Sequence, residues 1–213
     1  MNTPLRPRPL LATATRFARL AALVAACGAL NFATARADDW KPEPGFISLF
    51  NGKDLTGWGY RDKDAKVLEN FDGKLNASDA RYTARDGMLV VNPRDPAKGP
   101  PLRQLWSTQE FPKNFILKLD FKASVNADSG IFLRKPQLQC RDYLVAGPYK
   151  MLKKYKAQDW NQIEVVVKDN VAHCTCNGEI LEAALKLPPT GPIGLEADRG
   201  EMDYRHIQIK ELP

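Results

Sequence analysis

Residues 115–122 alternate: Phe115, Leu117, Leu119 and Phe121 on one side, Ile116, Lys118, Asp120 and Lys122 on the other. A period of two over eight residues is the signature of a strand with one buried face, and a helix would scatter those apolar side chains around its axis. Ile163 to Lys168 repeats the pattern; Asp169-Asn170 then makes a two-residue turn into a partner strand, Val171 to Cys176. Asn177-Gly178 follows, a pair that tolerates the positive φ of a type I′ hairpin turn, and Ile180-Leu181 continues beyond it. Asp86-Gly87 before Met88 to Val91, Gly191-Pro192-Ile193-Gly194-Leu195, and Arg205 to Ile209 read as further short strands. Many short strands at close spacing predict an all-β sandwich or barrel. Arg61 to Arg81 reads as a polar surface excursion, the proline-rich stretch Asn92 to Pro101 as a loop, and Tyr149 to Lys156 as a short helix with solvated lysines.

The first 37 residues have the layout of a secretory signal. Arg6, Arg8, Arg16 and Arg19 precede an apolar stretch from Leu20 to Leu30, and Ala35-Arg36-Ala37 offers small residues at a cleavage point before Asp38. The expected organisation is therefore a signal at 1–37 and one domain at 38–213, exported to the periplasm or beyond. Val24-Ala25-Ala26-Cys27 is the alternative, a lipoprotein box that would tether the chain at Cys27. The apolar run falls short of the ~20 residues that span a bilayer. The whole chain is +6, but five of its 31 basic residues lie in the signal, which has no acids, leaving 26 against 25 acidic. The basic balance thus gives no reason to expect a nucleic-acid partner.

Cys140, Cys174 and Cys176 remain after such a cut. Cys174 and Cys176 share a strand face and are poorly placed to bond each other. Either Cys140 pairs with one of them or all three are buried thiols. No second ligand pair has zinc spacing. Asp128-Ser129-Gly130 could offer oxygen to a structural calcium ion, but one carboxylate is too few for a site, so no cofactor is expected.

Phe46-Ile47-Ser48-Leu49-Phe50-Asn51-Gly52-Lys53-Asp54-Leu55-Thr56-Gly57-Trp58 resembles the opening of the 3-keto-disaccharide hydrolase domain family. Later phrases keep that family's order: Asp86-Gly87-Met88-Leu89, Leu105-Trp106-Ser107, Phe115 to Phe121, Ser129-Gly130-Ile131-Phe132-Leu133-Arg134, Trp160-Asn161, Asn177-Gly178 and Gly191 to Leu195. The resemblance runs from about residue 45 to 212. It implies a jelly-roll sandwich of the concanavalin A-like lectin and glucanase type, and cleavage of glycosides oxidised to a ketone at C3, by hydrolysis or by elimination and hydration. It departs from the family at two points: the usual acidic residue is Gln137, and the usual Gln-Asp-His-Gly reads Glu196-Ala197-Asp198-Arg199-Gly200.

Strand parity places Phe132, Arg134, Gln137 and Gln139 on an outward face, a polar and aromatic surface suited to sugar hydroxyls, with an ordinary solvated strand face as the alternative. Asp142, Glu196 and Asp198 are the acid–base candidates. Arg134, Gln137 and Gln139 would hold substrate oxygens, Trp106, Tyr143 and Trp160 would stack on a sugar ring unless they pack in the core, and His206 could reach the outward face. The expected ligand is a small saccharide or 3-keto-glycoside, and the rival reading is a non-catalytic glycan-binding module.

Overall fold

The computed structural model describes residues 40–62, 64–94, 103–145 and 147–213; the expected signal at 1–37, with Cys27, lies outside the described residues, as does most of the proline-rich loop. Fourteen strands follow in chain order: β1 (Ile47–Ser48), β2 (Trp58–Arg61), β3 (Val67–Asn70), β4 (Tyr82–Arg85), β5 (Met88–Val91), β6 (Leu105–Ser107) and β7 (Phe115–Ala123). Then come β8 (Asp128–Leu133), β9 (Gln137–Arg141), β10 (Asn161–Lys168), β11 (Val171–Cys176), β12 (Glu179–Lys186), β13 (Ile193–Leu195) and β14 (Met202–Glu211). Among the described residues there is no helix.

The strands form two antiparallel sheets. One runs β12-β11-β10-β7-β14-β5-β4, with β1 added to β14; the other runs β3-β2-β6-β13-β8-β9. The chain crosses repeatedly between them, giving the all-β, two-sheet sandwich that the sequence predicts. β7 shows why the register is firm. Phe115, Leu117, Leu119, Phe121 and Ala123 are buried, and the residues between them are half-buried. Each of the four large inward side chains contributes about 1.5–3 kcal/mol of burial, and a one-residue slip would turn all of them outward. The β10–β11 turn has Asp169 and Asn170 at φ 50° and 60°, the left-handed pair of a type I′ hairpin.

Two sequence expectations are corrected and one open alternative is resolved. Tyr149 to Lys156 forms turns rather than a helix, because the Glu179 carboxylate captures the backbone N–H of Lys153 and Lys154 at 3.0 and 2.6 Å while Leu152 and Tyr155 anchor in the core. Arg61 to Arg81 is not all excursion, since β3 pairs with β2 within it. The cysteines are three buried, unbonded thiols; burial pushes Cys174 and Cys176 up to about 12.

Candidate functional site

The outward face of the six-stranded sheet carries one lateral row that runs Gly59, Trp106, Gly194, Phe132, Gln137 across β2, β6, β13, β8 and β9. A Cβ on Gly194 would come within 2.5 Å of the Trp106 ring, so the indole lies flat on the sheet only because residue 194 has no side chain. Trp106 meets Phe132 at 5.1 Å between ring centroids, and together they make an aromatic floor. On its other side Trp106 walls a cleft of about 660 Å³ with Arg61, Gln104, Glu110 and Thr190.

The next row holds Glu196, Gly130 and Gln139: the Glu196 N–H donates to the Gly130 carbonyl at 2.9 Å, and Gly130 pairs with Gln139. Gln137 leans over Gly130, where a Cβ would collide with its amide, and donates to Glu196 Oε2. Gln137 Oε1 accepts from Gln139 Nε2 at 3.1 Å, and Gln139 Oε1 accepts from Arg141 Nη2. Arg141 is paired with Asp128 at 2.6 Å. Burial holds the Glu196 carboxyl above the usual glutamate range; Asp198 and Asp128 push the same way, while the Gln137 N–H and Arg141 oppose them. A half-buried carboxyl held this way beside an aromatic floor can exchange a proton with a bound ring.

The structure brings Glu196, Asp198, Gln137, Gln139 and Trp106 to this face, sets Arg134 in the wall of the cleft beyond Trp106 with its donors turned inward, and takes the other candidates elsewhere. Arg134 is 4 % exposed, at φ 64°, and donates to the carbonyls of Phe111, Lys113 and Pro188 and to Asn170 Oδ1 at 2.7–2.8 Å. Its left-handed backbone breaks the parity that pointed it outward. Asp142 is buried and ties loops together, accepting from the Asn126 N–H at 3.0 Å, Gln158 Nε2 at 3.1 Å and the Tyr155 hydroxyl at 3.3 Å. Tyr143 packs in the core against Phe121, Tyr149 and Tyr155. Trp160 stands on the opposite, eight-stranded sheet with the Arg205 guanidinium 3.9 Å from its ring centre. His206 is on that sheet too, stacked on Trp40 at 4.7 Å with Nδ1 2.9 Å from Asp120 Oδ2. Asp128 spends its charge on Arg141 and on Arg199, 3.7 Å away, and among the described residues no three His, Cys, Asp or Glu side chains gather as metal ligands.

Arg141, not singled out in the sequence, belongs to the site. It continues the two-residue step from Gln137 and Gln139, and that spacing is the signal that would have found it.

The profile of the 3-keto-alpha-glucoside-1,2-lyase-like domain matches residues 45–210. The chain belongs to this family. Membership makes it a carbohydrate-active, glycosyl hydrolase-like domain. No curated protein sequence matches it significantly. Two crystal structures of provisionally designated glycosyl hydrolases from Parabacteroides distasonis share the fold. One has a TM-score of 0.59 at 17% identity, covering 79% of this chain and 95% of that one. The other has 0.55 at 19%, covering 78% and 99%. The two departures from the family pattern noted in the sequence meet in space, since Gln137 and Glu196 are hydrogen-bonded to each other.

Proposed function

We propose that this domain cleaves 3-keto-glycosides by elimination across C1 and C2, with Glu196 as the proton carrier, outside the cytoplasm. The observation that carries the reading is Glu196: a half-buried carboxyl with a raised pKa, one oxygen tied to Gln137, beside the floor of Trp106 and Phe132. A ketone at C3 acidifies the C2 proton. Glu196, ionised, takes that proton, and the C2–H electron pair moves to form an enolate through C3. The C3 carbonyl then re-forms, a C1–C2 double bond appears, and the C1–O bond breaks. The proton on Glu196 passes to the departing oxygen, which leaves as an alcohol and returns the carboxylate. Water later adds across C1–C2. Arg141, its charge paired with Asp128, acts on Glu196 through Gln139 and Gln137, and the cleft beyond Trp106 has room for a leaving sugar.

Export is part of the proposal. The arginine-rich start, the apolar run and Ala35-Arg36-Ala37 support it, with Cys27 as an alternative lipid anchor.

The test is turnover of 3-keto-trehalose by purified protein and by Glu196→Gln, alongside calorimetric binding. The expected result is release of free sugar, reduced about 10²–10⁴-fold in the variant with binding retained. Binding without turnover would make the domain a glycan-binding module, a reading that the aromatic floor and the uncharged Gln137 favour.

A further inference from the structure

Gln137, Gln139 and Arg141 stand on one face of β9 and bond to each other in a single direction. Arg141 donates to Gln139, Gln139 donates to Gln137 at 3.1 Å, and Gln137 donates to Glu196. Both ends fix that direction. A guanidinium only donates and an ionised carboxylate only accepts, so each amide between them has one orientation that satisfies both neighbours. Asp128 holds the start of the chain at 2.6 Å from Arg141, and Gly130 leaves the space through which Gln137 reaches Glu196. Amides aligned head to tail polarise one another, so the last N–H is a better donor than an isolated glutamine would offer.

We infer that β9 is a one-way hydrogen-bond relay by which Arg141 and Gln139, neither hydrogen-bonded to Glu196, set the orientation and basicity of its carboxylate. They are positioning residues. Gln137 secures Oε2, which leaves Oε1 for substrate. The inference rests on the proposed role of Glu196 for its meaning in catalysis, but the relay itself is measurable without turnover. The other groups facing Glu196 are Asp198 on its own segment, Asp128 on β8, and the Tyr82 hydroxyl from β4, which bonds the Leu195 carbonyl at 2.7 Å. Arg81 reaches the neighbouring Ala197 carbonyl at 2.8 Å. Of these only Asp128 touches the relay, through its pair with Arg141, and Gln139→Leu leaves all of them in place.

The test is a ¹³C NMR titration of the glutamate side-chain carboxyls in labelled protein, with Glu196→Gln to assign the resonance. Gln139→Leu is the informative variant, because it changes no charge and the side chain does not bond Glu196. The relay predicts that its Glu196 midpoint rises by about half a pH unit, because a weakened Gln137 donor favours the protonated form. Gln139→Ala should do the same, and a circular dichroism spectrum unchanged from the parent shows that either variant is folded. Where the protein turns over substrate, the acid limb of kcat/KM should move by the same amount. A midpoint unmoved in both Gln139 variants overturns the relay even if Glu196→Gln abolishes turnover. A shifted midpoint in a protein with no turnover sustains the relay and removes the catalytic reading instead.

Discussion

Gly194 lies beneath the Trp106 indole at the distance a side chain would occupy, so the platform depends on a missing methyl group. Gly194→Ala should lift the ring and weaken saccharide binding about tenfold, a loss calorimetry would read as about 1.4 kcal/mol, while leaving the fold intact. Gln137→Glu tests the electrostatics from the opposite side. A second carboxylate in contact with Glu196 must raise its pKa further, so the acid limb of activity should move to higher pH. The sign for stability is the same in kind. Glu196 binds its proton more tightly folded than unfolded, so it favours the fold below the ordinary glutamate pKa of 4.5, and that contribution is lost as pH rises through the raised value. Arg134 illustrates where residue-level reading fails. Parity is a property of extended backbone, and at φ 64° the side chain turns inward to bind four oxygen atoms. Arg134→Ala should therefore cost about 2–4 kcal/mol of stability by orphaning them, seen as a lower denaturation midpoint.

Among the elements, the long strands were legible because alternation and turn chemistry agree: β7 and β11 begin where Phe115 and Val171 begin their patterns, and β10 begins at Asn161, two residues ahead of Ile163. β3 and the turns at 149–156 were not, because their conformation depends on partners remote in sequence, such as the Glu179 carboxylate. The face composed by β9 was half legible. Gln137 and Gln139 were placed by parity, whereas Asp142, one step past the strand end, was carried inward by the loop it organises. Cys140 on β9 and Cys174 and Cys176 on β11 are buried as thiols. At pH 8 a thiol reagent should label none of the three until denaturant is added, then all; rapid labelling of the folded protein would contradict this packing.

In the whole molecule the two sheets divide the work. The six-stranded sheet presents Trp106, Phe132, Gln137, Gln139, Arg141 and Glu196. The eight-stranded sheet is strapped by the segment from Trp40 to Ser48, through the Trp40–His206 stack, the Glu43–Lys118 pair at 2.7 Å and the β1–β14 pairing. Removing residues 40–48 should lower the melting temperature by several degrees while sparing the site on the other sheet. That the site uses one carboxyl for both proton transfers is the central claim. The most direct measurement compares turnover of a 3-keto-glycoside carrying deuterium at C2 with the protiated substrate. Glu196-dependent elimination predicts a primary isotope effect that disappears together with activity in Glu196→Gln; turnover indifferent both to the label and to the loss of Glu196 would contradict it.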